Sequence, residues 1–171
     1  IEQWPVARLL RDAQVNTIWE GADNILCLDV RRGIERDNAH LPFLDRLRAG
    51  LDAASTGADP ETVETVRGAV NQTAAAIDRW RGLDRRVAEA RLYPLSVAMA
   101  DVYAGALLVE SAAWESSTLG QDRKALIARL FARSHLAQPG LFSVLEDQPE
   151  ELDRFKELWD GALVDDRMTS G

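Results

Sequence analysis

Cysteine occurs once in 171 residues, as Cys27, and histidine only twice. A single thiol excludes an internal disulfide and any metal centre built on several thiolates, and it points to a reducing, intracellular compartment, the cytoplasm. Proline (6) and glycine (11) are too sparse for a collagenous or low-complexity chain. Basic residues are outnumbered 20 to 28, and the formal net charge of -8 repels phosphate backbones and anionic lipid surfaces, so nucleic acid is not an expected partner. Long apolar runs are missing too. Ala98 to Val109 is broken by Asp101 and closed by Glu110, short of the roughly 18 uninterrupted apolar residues of a membrane span, so no span is expected. There is no Walker loop, dinucleotide fingerprint or nucleophile elbow. Period-two alternation and hairpin dipeptides between apolar runs are also wanting. No charged-then-apolar leader opens the sequence, whose first residues read as the interior of a structured region; the chain is expected to be the C-terminal part of something longer.

What remains is a helical pattern. At 46% hydrophobic and 28% charged residues the chain can bury a core, and the expected fold class is all-α. Pro5 suits a first helical position and opens an amphipathic segment to Asp12, with Val6, Leu9 and Leu10 on one face. Ala13 to Glu20 reads as a connector, because Val15, Asn16, Thr17, Ile18 and Trp19 favour other backbone than helix. A helix from Ala22 to Arg36 follows, with Ile25, Leu26, Leu28 and Val30 at helical spacing and Arg31 and Arg32 near its negative end. The next stripe is Phe43, Leu44, Leu47, Leu51 and Ala54. Asp59-Pro60 then signals a cap and first turn before Val63, Val66, Val70, Ala74, Ile77 and Trp80. This helix is expected to continue through Val87 until Pro94 interrupts it. Leu95, Met99, Val102, Ala106, Val109 and Ala113 form a further long stripe. Leu126, Ile127, Leu130 and Phe131 mark a shorter helix before Gln138-Pro139-Gly140. A last one is expected from near Pro149, carrying Leu152, Phe155, Leu158 and Trp159, with a polar end from Val164 to Gly171. The composition shift at Asp37 to Pro42 divides residues 1–36 from a bundle over residues 37–171.

Few side chains suggest chemistry. His40 and His135 are far apart and lack the carboxylate spacing of a helical metal pair, so both read as structural or surface groups. Cys27, between Leu26 and Leu28, reads as a small buried hydrophobe, with nothing electropositive near in sequence to stabilise a thiolate. The exception is Ile18-Trp19-Glu20-Gly21, which sets a carboxylate between a bulky apolar pair and a glycine just ahead of a helix. Glu20 could cap that helix, stabilised by its dipole. The functional alternative is a general base, its pKa raised by the apolar wall of Ile18 and Trp19, with Gly21 letting a substrate approach the backbone. Spacing alone leaves both open.

A wider window narrows the choice. Pro5-Val6-Ala7-Arg8-Leu9-Leu10-Arg11-Asp12-Ala13-Gln14-Val15, then Ile18-Trp19-Glu20-Gly21-Ala22-Asp23-Asn24-Ile25-Leu26, closely resembles the C-terminal signature of acyl-CoA dehydrogenases over the first fifth of the chain. Trp-Glu-Gly followed by Asn24-Ile25-Leu26-Cys27-Leu28-Asp29-Val30 looks most like the branch of the alkylation-response flavoprotein and its longer relatives. The resemblance implies that residues 1–36 end the catalytic helical domain and that residues 37–171 are an additional C-terminal helical bundle. It implies an FAD-dependent α,β-dehydrogenation of an acyl-CoA thioester with Glu20 as base, Gly21 on the substrate side, and Ala22, Asp23 and Asn24 against FAD. It further implies partners: the upstream helical and β domains, further copies in a homo-oligomer, and an acceptor such as electron-transfer flavoprotein. This chain alone would then be inactive. One departure stands out: the family usually has Thr or Ser after the glycine, and Ala22 lacks that hydroxyl. A non-catalytic flavoprotein of the alkylation-response kind and a helical assembly module are the competing expectations.

Overall fold

A computed structural model of the chain describes residues 5–16 and 21–137. Seven α-helices are seen among the described residues: α1 Pro5–Val15, α2 Asp23–Glu35, α3 His40–Ala54, α4 Pro60–Arg81, α5 Arg85–Ala90, α6 Leu92–Leu119 and α7 Arg123–Phe131. One turn of π-helix, Ala132–Leu136, extends α7. The described residues include no strand, and the fold is all-α as the missing period-two pattern requires. The helix expected from Pro149, with Leu152, Phe155, Leu158 and Trp159, lies outside the described residues.

The expected helix starts hold where capping chemistry is local. Asp59 accepts the backbone N–H of Thr62 at 3.0 Å and its hydroxyl at 2.6 Å, with Pro60 at the first helical position. Two boundaries differ from expectation. Ala13 and Gln14, both good helix formers, carry α1 through Val15, so the connector starts only at Asn16. Nor does α4 run on through Val87. It stops at Gly82, and Asp84 accepts from Arg86 N–H at 2.9 Å to start the separate, short α5. Pro94 consequently opens α6 instead of interrupting a helix, because a first-turn residue has no intrahelical acceptor for the N–H that proline lacks.

The core is built around α6, which touches α2, α3, α4, α5, α7 and the π-turn. Leu95, Val102 and Val109 of α6 are essentially inaccessible, as are Leu47 and Leu51 of α3 and Val66, Val70, Ile77 and Trp80 of α4. Cys27 and Ile34 of α2 join the same core, so Cys27 is the buried small hydrophobe that its neighbours in sequence suggested. By length and hydropathy α6 is the one described helix apolar enough to cross a membrane, despite Asp101 and Glu110. Five other helices pack on it, and its buried side carries the core, while Tyr93, Val97, Tyr103 and Trp114 stay exposed on the rest. At Gly105 the π-turn comes so close that a Cβ would lie 2.7 Å from the Leu136 Cδ1.

Partly exposed ion pairs fix the order of the helices. Arg46 grips Glu110 with two bonds of 2.7 and 2.8 Å between α3 and α6, and Arg67 reaches Asp52 at 2.7 Å between α4 and α3. Such pairs select an orientation more than they add stability.

Candidate functional site

Residues 17–20 lie outside the described residues, and with them Ile18, Trp19 and the candidate base Glu20. The two ends that hold this segment are described. Asn16 follows α1, its N–H donating to the Ala13 carbonyl at 3.2 Å, and the chain re-emerges at Gly21. Gly21 has φ +108°, a backbone state open in practice only to glycine, and a Cβ there would already sit 3.3 Å from the Ile25 Cβ. The Trp-Glu-Gly triplet thus ends on a residue that could hardly be anything else.

Ala22 occupies the N-cap of α2, with φ -70° and ψ 158°, and its carbonyl takes the N–H groups of Ile25 at 2.8 Å and Leu26 at 3.3 Å. The cap position makes no side-chain hydrogen bond, since alanine has no oxygen to offer. The Thr or Ser usual at this point in the resembling family would stand where N-caps are favoured. The missing hydroxyl therefore bears on the helix start as well as on any ligand. Asp23 sits in the first turn, where a carboxylate suits the positive end of the helix. Asn16, Ala22, Asp23 and Asn24 together line an open cleft of about 530 Å³. The fold thus brings Asn16, at the end of α1, beside Ala22, Asp23 and Asn24 at the mouth of α2.

Two features hold that mouth in position. Cys27 and Ile34 anchor the inner face of α2 in the core. On the outer side Arg31 donates to Glu35 at 3.0 Å and across to Glu89 of α5 at 2.8 Å, while Arg85 donates to the same Glu89 oxygen at 3.0 Å. The bonds to Glu35 and Glu89 raise the Arg31 pKa, and those from Arg85 and Arg31 hold Glu89 below its ordinary 4.5. Between α2 and α6 lies a second, mostly apolar groove of about 380 Å³, bordered by Leu26, Cys27 and Val30 on one side and Tyr93, Val97 and Ala100 on the other. It joins residues some 70 apart in sequence, so no local pattern could have announced it.

The other candidates carry no chemistry. His40 is buried at the start of α3, its Nε2 3.4 Å from the Arg81 Nη1 and its Nδ1 without a hydrogen-bond partner. Burial, then the Arg81 charge, lowers its pKa, with Asp78 opposing. His135 is exposed and stacks on Phe131 with centroids 4.3 Å apart. The described residues hold no group of three or more His, Cys, Asp or Glu able to ligate a metal. Sequence reasoning missed Glu115, buried on α6, whose carboxylate accepts the Lys124 N–H at 2.6 Å and so caps α7 across the Gly120 turn. No local signal announced it, since Asp122 stands at the N-cap position and reads as the cap, and only the structure shows that its side chain makes no such bond.

Known proteins resemble this chain at two levels. Residues 1–35 match the family described as acyl-CoA dehydrogenase, C-terminal domain. Among curated proteins, Acyl-CoA dehydrogenase family member 11 of Caenorhabditis elegans is 33% identical over 130 residues, an alignment covering 71% of this chain and 21% of that protein. That coverage exceeds what residues 1–36 can supply, so the likeness continues into the bundle. The chain spans about a fifth of the length of this relative. No solved structure matches.

Proposed function

We propose, from the premise that residues 1–35 are the end of an acyl-CoA dehydrogenase C-terminal domain, that this chain is the C-terminal portion of an FAD-dependent acyl-CoA dehydrogenase. Residues 1–36 then complete the catalytic helical domain and residues 37–171 are its extension. The observation that carries the reading is the open cleft between the end of α1 at Asn16 and the start of α2 at Ala22, Asp23 and Asn24, which flanks the Trp19-Glu20-Gly21 stretch in sequence.

The residues at that mouth fit one wall of a flavin site. Gly21 keeps the approach free of a side chain, and Ala22 leaves the first turn of α2 uncapped toward the cleft. Asn24 offers an exposed amide. Asp23 repels phosphate, so the neutral part of the cofactor is the part this wall suits. When bound, FAD supplies the two-electron acceptor for the β-hydrogen, which leaves the acyl chain as hydride. Glu20 takes the α-proton, and the electron pair of that C–H bond becomes the new α,β double bond. Its backbone N–H would help hold the thioester oxygen, which makes the α-proton acidic enough for a carboxylate to remove. Upstream domains supply the rest of the pocket, so the chain alone does not turn over.

The partners of this reading are an acyl-CoA, the upstream domains, further copies of the protein and an electron acceptor such as electron-transfer flavoprotein. Exposed Val6, Leu9 and Leu10 on α1 support association with the upstream domains or another copy. The lone, buried Cys27 supports a cytoplasmic setting. In the complete protein, Glu20→Gln keeps size but removes the proton acceptor. Flavin reduction by an acyl-CoA is expected to fall by about 10²–10⁴ with FAD still bound. A wild-type rate in that variant would reduce Glu20 to a cap. Failure of every acyl-CoA to reduce the wild-type flavin would favour the non-catalytic flavoprotein, to which the missing hydroxyl at Ala22 already leans.

A further inference from the structure

The outer face of α7 is apolar and uncovered among the described residues. Leu126, Ile127 and Leu130 lie at helical spacing on it, 47%, 42% and 56% exposed. What this element buries instead is Ala128 and, in the π-turn, Ala132 and Leu136, with Phe131 packed against the core. Arg123 and Arg133 share the outer face with the leucines and Arg129 borders it. Residues 122–137 carry Arg123, Lys124, Arg129 and Arg133 against the single carboxylate Asp122.

The described residues stop at Ala137, on this same element, and residues 138–171 follow directly in sequence. That stretch holds nine carboxylates against three cations, so most of the net charge of -8 sits there. Its one strongly periodic run is Leu152, Phe155, Leu158 and Trp159, at the three-and-four spacing of a single helix face, interleaved with Glu150, Glu151, Asp153, Glu157 and Asp160 against Arg154 and Lys156, so its net sign is negative. The eleven residues between Ala137 and Pro149 contain Pro139-Gly140, a turn signal, and are ample to reverse direction.

We propose that residues 149–160 dock in cis on the outer face of α7, as an acidic amphipathic helix laid against a basic-rimmed apolar one. Leu152, Phe155 and Trp159 cover Leu126 and Leu130, and the flanking carboxylates meet Arg123 and Arg133. The occupant is fixed by two independent fits. Apolar spacing matches apolar spacing, and the sign of charge is opposite on the two rims. Attachment to the same chain adds the effective concentration of a short linker. This inference concerns the extension alone and does not depend on the enzymatic reading of Glu20.

Hydrogen exchange on the full 171-residue chain tests it. Amides of residues 150–160 are expected to exchange more slowly than unstructured chain by about tenfold or more, independently of protein concentration. Leu126→Glu with Leu130→Glu should abolish that protection while α4 and α6 keep theirs. A gentler pair, Arg123→Glu with Arg133→Glu, changes only exposed charge and should weaken the protection, with recovery when Glu150 and Glu151 are made arginine. Unprotected amides at 150–160 in the wild-type chain would overturn the proposal. So would protection that survives both α7 variants, or protection that appears only as concentration rises, which would assign the face to a second copy.

Discussion

The N-terminal helix and the bundle helices obey the same patterning rule and meet opposite fates. α1 is the most strongly amphipathic of the described helices, yet it buries none of its residues, and Val6 stands 67% exposed. α6 has almost no amphipathic bias and contributes nine buried residues. The contrast teaches that periodicity tells which face of a helix seeks burial but not whether this chain contains what buries it. α3 and α4 find their partner in α6. α1 has apolar residues waiting on one side, and α2 is intermediate, with Cys27 and Ile34 inside but Ile25 and Leu28 outside.

Breaking that contrast should be easiest in the bundle. Trp80 is 1% exposed and its indole N–H donates to the Ala88 carbonyl at 2.8 Å, tying α4 to α5. Trp80→Ala is expected to cost about 3–5 kcal/mol in denaturant unfolding, through the cavity and the orphaned carbonyl together. A loss under about 1 kcal/mol would mean that the α4–α5 corner is not part of the cooperative unit.

The two helix starts sharpen the same contrast from each side. Asp59→Ala removes a cap that accepts two bonds from Thr62 and should cost about 1–2 kcal/mol. Those bonds hold the Asp59 pKa below its ordinary 3.8. The contribution is therefore complete above that ordinary value and is lost as pH falls through the lower folded one. The wild-type minus variant difference should accordingly shrink in acid titrations at the low end only. Ala22→Ser works the other way. It supplies the oxygen that the N-cap of α2 lacks and should stabilise the chain by about 0.5–1 kcal/mol. An unchanged melting temperature would show that the mouth of α2 frays independently of the core.

The smallest effect belongs to α1. Leu9→Ala, at a position 57% exposed, should change stability by less than about 0.5 kcal/mol in this chain. In a complete protein whose other domains cover that face, the same change should approach the roughly 2–5 kcal/mol of a buried leucine. Equal small effects in both settings would leave α1 a solvated helix with no partner.

Much of this molecule was legible residue by residue. Asp59-Pro60 announced α4, Phe43 to Ala54 announced α3, and the Trp-Glu-Gly triplet ended on a glycine whose positive φ the structure displays. These are short-range matters of caps, turns and periodicity, set by covalent neighbours and readable from them. The tertiary structure alone decided that Glu115 reaches across a turn to cap α7. It also decided which side of α7 is covered, setting Ala128, Ala132 and Leu136 against α6 and α4 and leaving Leu126 and Leu130 outside. Burial is a property of pairs of surfaces, and the sequence of one helix states only its own half.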